Sequence, residues 1–232
     1  MSLTLTAEER VARARADLRM GAPIVLVSQS GGALVLAAET VSDARLAEIR
    51  ALGPREIDIA ISDHRAETLK ARAYDGKLAR VVLSDRDDAR FVRATADPAG
   101  DLATPMKGPY LTRRDGPSDL HGLALNLVKQ ARLLPAAVVA VWSEAAVAER
   151  LGEQGRLSVL SEIEVHRAAE AAIRMQLISG AKVPTRFAEA GKVHVYRPED
   201  GGEEHYAVEV GRPGRSTPVL SRLHSACFTG DV

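Results

Sequence analysis

Apolar and polar positions follow two different periods along this chain, and caps, glycines and prolines mark where one gives way to the other. Thr6-Ala7-Glu8-Glu9 has the form of a capping box, with Glu9 placed to reach back to the N–H of Thr6. The helix it opens is predicted to run to about Met20, where Gly21 stops it before Pro23. Ile24-Val25-Leu26-Val27 then reads as a buried strand, Ser28-Gln29-Ser30-Gly31-Gly32 as a turn, and residues 33–38 as the returning strand. Ser42 caps a helix ending near Leu52, with Gly53-Pro54 as its stop. Residues 57–61 and 81–83 are further short strands, with a helix predicted between them over 64–72.

From 96 to 119 the periodicity is lost. Pro98, Pro105, Pro109 and Pro117 with Gly100, Gly108 and Gly116 make this a long loop, of a length usually functional or mobile. A helix over 120–132, a strand over 136–142 and a helix from Ser143 to about Glu153 follow. Ser161-Glu162-Ile163-Glu164 is a second capping box, and its helix is predicted to reach Ile178. Beyond Gly180 the period changes. Residues 193–197, 206–210 and 219–223 read as strands separated by Pro, Gly and Asp turns. The fold class expected is α/β (α+β), with an α/β domain over 1–178 and the β-rich start of another over 179–232.

The composition narrows the picture without changing it. The 232 residues carry 31 basic and 31 acidic side chains, so balanced charge argues against nucleic acid as a default partner. No apolar run approaches the ~18–20 residues of a membrane span, and the first 20 residues are a charged helix instead of a signal peptide. A cytoplasmic protein with no nucleic-acid or membrane partner is expected. Aromatic residues make up only 3%, so the core must rest on Ala, Val, Leu and Ile. A single cysteine excludes an intrachain disulfide and any zinc site taking two or more cysteines from this chain alone.

Most catalytic templates are absent: the chain has no G-x-S-x-G, H-E-x-x-H, P-loop or G-x-G-x-x-G. Asp85, Asp87 and Asp88 could coordinate a hard cation, but a solvated turn after a strand is the plainer reading. His64 could be a general base, or merely an exposed residue in the first turn of a helix. His121, at the end of the long loop, is a candidate site residue, because loops carry function more often than cores. His166 lies in an amphipathic helix and reads as structural. The turn at residues 28–32 could be a phosphate nest, but it carries no basic residue and leads into no obvious helix.

The C-terminal stretch is more specific. Thr217-Pro218-Val219-Leu220-Ser221-Arg222-Leu223-His224-Ser225-Ala226-Cys227-Phe228-Thr229-Gly230-Asp231 closely resembles the signature of GTP cyclohydrolase II, in which Arg-x-His-Ser-Glu-Cys-x-Thr-Gly-Asp follows a Pro-Val-Leu strand. Lys182-Val183-Pro184-Thr185 fits the opening of the same domain. The resemblance implies hydrolytic opening of the imidazole ring of GTP, with release of formate and pyrophosphate, as the first step of riboflavin biosynthesis. It makes Cys227 a zinc ligand, places Arg222, Leu223, His224, Ser225 and Ala226 where the family binds GTP, and implies magnesium as an aid at the phosphates. Zinc needs three protein ligands and one open position for its water. The family's other two ligands, a Cys-x-Cys pair, come downstream of the first, as do its acidic and arginine catalytic residues. Ala226 stands where the family usually has Glu. The expectation is therefore a truncated chain, inactive alone, whose catalytic residues lie beyond Val232.

The N-terminal part resembles 3,4-dihydroxy-2-butanone-4-phosphate synthase through its leading helix, Ala37-Ala38-Glu39-Thr40 and Leu134-Pro135-Ala136-Ala137-Val138. That family has an acidic Arg-Glu-Asn-Glu loop after its first strand, which holds magnesium and the sugar phosphate; here the loop is Ser28-Gln29-Ser30-Gly31-Gly32. Near the family's His-x-Glu-Ala motif this chain has His121-Gly122-Leu123-Ala124, which keeps a histidine and loses the glutamate. Without carboxylates, nothing holds Mg²⁺ or moves the protons of the rearrangement, so a degenerate, non-catalytic domain is expected. Synthase-type domains imply a homodimer. The alternative class is a stand-alone binding or oligomerisation module with a vestigial cyclohydrolase tail. A paralogue acting on a related nucleotide is a third reading, and residual synthase activity from Asp85, Asp87 and Asp88 the least favoured.

Overall fold

Two central strands with no polar alternation explain the long apolar runs of the sequence. The computed structural model describes residues 4–105, 107–170, 174–183, 191–199, 202–212, 214 and 216–224. It divides into two units, residues 1–171 and 172–232.

The first unit holds helices α1 (Ala7–Arg19), α2 (Asp43–Ala51), α3 (Asp63–Thr68), α4 (Ala89–Ala96), α5 (Asp119–Gln130), α6 (Ala145–Gly155) and α7 (Glu162–Glu170). Its strands are β1 (Ile24–Ser28), β2 (Gly31–Ala37), β3 (Glu56–Ser62), β4 (Leu78–Val82), β5 (Ala136–Trp142) and β6 (Val159–Ser161). They form one sheet in the order β4-β3-β5-β2-β1-β6, antiparallel except for the parallel β1–β6 pair. Antiparallel sheets often leave one face to water and alternate accordingly, whereas this one is covered on both faces. On one face, Val11, Leu18, Leu127 and Val165 of α1, α5 and α7 pack on Ile24, Leu26 and Val139. On the other, Leu46, Val92 and Ala148 of α2, α4 and α6 pack on Leu36, Ile59 and Val138. Every position of β2 and β5 is consequently buried.

The local signals work as expected at both capping boxes. Thr6 accepts from Glu9 N–H while Glu9 accepts from Thr6 N–H, and Ser161 and Glu164 make the same exchange. Two elements escape the sequence pattern. The three residues of β6 are too few to show a period, and α4 begins inside what reads as a polar turn, with Asp88 as its cap. The aperiodic stretch also contains the end of α4 and a 3-10 turn at Pro98–Gly100. Its remainder is strapped down: Thr112 bridges to Val81, and the Arg80 guanidinium, 1% exposed, pairs with Asp75 and donates to the carbonyls of Gly116 and Pro117.

The second unit is a three-stranded antiparallel sheet of β7 (Met175–Lys182), β8 (Gly191–Pro198) and β9 (His205–Val210), in that order. Two expectations are corrected here. The helix predicted to reach Ile178 ends at Glu170, and Met175–Lys182 is a strand exposed at every position. Ladder bonds to β8, with a bulge between Leu177 and Ser179, hold it in place, and a strand held by pairing leaves no burial period to read. The strand predicted over 219–223 does not form: Val219, Leu220 and Leu223 are exposed and no ladder includes them among the described residues. A short run between turns suggests a strand, but only a partner makes one.

Candidate functional site

The turn between β1 and β2 meets the first turn of α5, bringing together two regions singled out in the sequence. Ser30 N–H donates to Ser28 Oγ at 3.1 Å, the two hydroxyls lie 2.9 Å apart, and Ser30 Oγ donates to the Asp119 carboxylate at 2.7 Å. Burial pushes the Asp119 carboxyl up, but hydrogen bonds from Ser28, Ser30 and the backbone N–H groups of Leu120 and Asp119 outweigh it and hold the group below its usual range. This carboxylate is thus already engaged by protein donors. Ser30→Ala should raise the Asp119 pKa and remove about 1 kcal/mol of stability. A carboxylate depressed in the folded state stabilises above its unfolded pKa and loses that contribution as pH falls. The deficit of Ser30→Ala should accordingly be present at neutral pH and shrink in acid, as urea melts at pH 7 and pH 3 would show.

His121 does not line an open loop. It is 1% exposed on α5, its Nε2 lies 3.2 Å from Asp58 Oδ2, and its buried Nδ1 has no hydrogen-bond partner. Asp58 on β3 is fully buried and takes two bonds of 2.8 Å from Arg113 Nε and Nη2; Arg113 also reaches Glu56 at 3.0 Å. Burial drives the Asp58 carboxyl up, but hydrogen bonds and charge from His121 and Arg113 more than offset this and hold it low. The sequence reading missed Asp58 and Arg113. Only the alternation Ile57-Asp58-Ile59 carried a signal, an acid where a strand covered on both faces should be apolar.

The other candidates do not converge. Asp87 accepts from the N–H and hydroxyl of Ser84, Asp88 caps α4, and the Asp85 side chain is fully exposed. His64 is exposed in the first turn of α3, and His166 is exposed beside Glu162. Among the described residues no three His, Cys, Asp or Glu side chains gather where they could hold a metal ion. No described helix is long and apolar enough to cross a membrane. In the second unit, His194 Nε2 lies 3.2 Å from Glu209, which Lys192 also approaches. Arg222, Leu223 and His224 are exposed, while Ser225, Ala226 and Cys227 lie outside the described residues.

Comparison with known proteins separates the two units. Residues 176–232 match the family model of GTP cyclohydrolase II. The chain is 34% identical over 228 residues to the GTP cyclohydrolase-2 of Azospirillum brasilense, an alignment spanning 96% of this chain and 58% of that protein. It is 25% identical over 266 residues to the riboflavin biosynthesis protein RibBA of Salinispora tropica, covering 96% of this chain and 64% of the relative. The chain therefore spans about three fifths of the length of these relatives. Among solved structures, RibBX, a two-domain 3,4-dihydroxy-2-butanone 4-phosphate synthase from A. baumannii, superposes with a TM-score of 0.52 at 16% identity, covering 87% of this chain and 70% of that one. The Candida albicans synthase gives 0.53 at 15% identity, covering 69% of this chain and 97% of its own. The mixed α/β fold is that of the synthases, and the sequence of the second unit is similar to GTP cyclohydrolase II.

Proposed function

We propose that this chain serves riboflavin biosynthesis as part of a GTP cyclohydrolase II, with a non-catalytic synthase-like domain in front. The match of residues 176–232 to the cyclohydrolase family model carries the reading. In it, Arg222, His224 and Ser225 contribute to the wall that holds GTP, Leu223 and Ala226 shape it, and Cys227 is a zinc ligand. Arg222 would offer its planar fork to phosphate oxygens. The residues in hand do not complete a zinc site, because the chain has one cysteine and no described cluster supplies further ligands. The reaction proposed for the whole protein is hydrolytic opening of the GTP imidazole ring, with loss of formate and pyrophosphate.

The geometry of the first unit supports the non-catalytic half. At the β1–β2 turn the Asp119 carboxylate is already engaged by Ser30. A magnesium ion wants six oxygen ligands in near-octahedral array, usually including one or two free carboxylates. This turn does not fit that demand, and a homodimer is the state proposed for the unit.

The test joins residues 1–232 to the part of the A. brasilense protein that follows the aligned region. The chimera should release formate from GTP in a zinc-dependent manner. Arg222→Ala should weaken turnover and Cys227→Ser abolish it, with loss of bound zinc. The 232-residue chain alone should release no formate, and neither protein should convert ribulose 5-phosphate with magnesium. An inactive but folded, zinc-loaded chimera would overturn the cyclohydrolase reading, and turnover of ribulose 5-phosphate would overturn the non-catalytic one.

A further inference from the structure

The imidazole of His121 is buried where the strapped loop reaches the core, and its two nitrogens stand in unequal surroundings. Nε2 faces the Asp58 carboxylate at 3.2 Å, while Nδ1 has no hydrogen-bond partner among the described residues. Asp58 is held low, so it is ionised at neutral pH and can only accept. Nε2 must therefore carry the proton, which leaves Nδ1 as a bare lone pair. That arrangement suits a neutral ring. A protonated ring would place a second N–H in the core without an acceptor, and an unmade bond from a charged donor is costly there.

The same carboxylate also holds the loop. Arg113 grips Asp58 with two bonds of 2.8 Å, yet 24% of its side chain is exposed, and Glu56 lies 3.0 Å away as another partner. Its backbone N–H donates to the carbonyl of Arg80, and Leu111 accepts from the N–H of Val82, so residues 111–113 cover the outer edge of β4. Just beyond, Arg80 with its partner Asp75 fixes Gly116 and Pro117. The other charges about α5 do not reach the ring. β1, β2 and β5 carry none, and Asp119 is engaged by Ser30. On α1 and α7, Arg10 pairs with Glu164 and Asp17 accepts from Ser158. Protonating His121 thus sets two cations on one buried carboxylate, where like charges repel strongly. The imidazole is fixed by α5, whereas Arg113 can turn to Glu56 and to water.

We propose that His121 and Arg113 form an acid-sensitive latch, in which a proton on His121 replaces Arg113 as the partner of Asp58 and releases residues 111–115 from the edge of β4. The core stays folded, because Asp58 keeps a counter-charge and the Arg80–Asp75 pair is untouched. The water admitted by the departing guanidinium can accept from the second N–H of the ring. Imidazole suits the task, since its ordinary pKa of about 6.5 lies between pH 5 and 8. The latch is independent of the cyclohydrolase reading, because all its residues lie in the first unit.

Hydrogen exchange of the 232-residue protein tests it, read amide by amide by NMR between about pH 8 and pH 5.5 and corrected for intrinsic rates. Opening takes up one proton, so protection of the Arg113 and Val82 amides should fall with pH by up to about tenfold per unit. Amides of the β2–β5 ladder should keep theirs. His121→Gln can still donate to Asp58 but binds no proton, so both reporter amides should stay protected and indifferent to pH. Constant protection in the native protein, an equal loss in the β2–β5 ladder, or a pH response that survives in His121→Gln would each overturn the latch. Should His121→Gln fail to fold, the ring nitrogen chemical shifts of His121 in the native protein decide. Their titration should coincide with the loss of Arg113 protection, and a ring that stays neutral down to about pH 5.5 would overturn the proposal.

Discussion

Arg113→Met should destabilise the first unit by roughly 3–5 kcal/mol, far more than loss of a surface ion pair, which typically costs about 0–1 kcal/mol. The difference lies in what remains behind. Asp58 is fully buried, and of the two groups that hold it ionised, His121 makes the longer bond, at 3.2 Å. Without Arg113, burial is opposed by His121 alone. The pH dependence should then change sign. In the native protein the depressed Asp58 pKa makes its contribution fully present above the unfolded carboxylate value of about 3.9, and lost as pH falls through the lower folded value. In Arg113→Met burial of the carboxylate should raise the folded pKa above the unfolded one. The variant would then lose stability as pH climbs above about 3.9, where the native protein's Asp58 contribution is already complete. Asp58→Asn on the Arg113→Met background should recover part of the loss, since no buried charge is left unpaired. Urea melts of the three proteins from pH 3 to 7 measure all of this, and a loss below about 1 kcal/mol at pH 7 would show that the network contributes no more than a surface pair.

Gly31→Ala should cost about 3 kcal/mol or more, lowering Tm by roughly 6–12 °C for a unit of this size. Two effects add. Gly31 sits at φ 135°, a conformation that L side chains rarely adopt, and an added Cβ would stand 2.3 Å from the carbonyl oxygen of Trp142. That oxygen cannot retreat easily, because Trp142 is paired with Gly32 in the middle of the sheet. Gly32→Ala meets a side chain instead, the Cβ of Ala148 at 2.5 Å, so a shift of α6 can relieve part of it and a loss of about 1–3 kcal/mol is expected. Gln29→Ala, exposed in the same turn, should stay within about 0.5 kcal/mol. A small effect at Gly31 would disprove the clash. The packing of β2 against β5 and α6 therefore requires glycine at the start of β2.

Local interactions were legible in the sequence wherever they decided the outcome. Both capping boxes, the helix stop at Gly21 and the apolar strands at 24–28 and 136–142 follow from neighbours a few residues apart, and the structure reproduces them. Pairing was not legible. The stretch up to Ile178 reads as helix, yet Met175–Lys182 becomes a strand because β8 offers it a ladder; residues 219–223 read as a strand and have no ladder partner among the described residues. The candidate site divides the same way. The missing carboxylates of the 28–32 turn are plain in the sequence, but that Asp119 engages Ser30 across 89 positions is not.

The sequence by itself determined the composition of the core, the ends of most helices and the similarity of residues 176–232 to GTP cyclohydrolase II. All rest on residue types and short spacings. Only the tertiary structure decided what the charges do: that His121 serves Asp58 within the core, that Arg65, Arg80 and Arg113 tie down a loop which reads as mobile, and that Lys107 shares the Asp101 carboxylate with Arg65. The reason is physical. A charged side chain means one thing in water and another when buried, and which of these it meets depends on partners 5 to 63 positions away that no local pattern encodes.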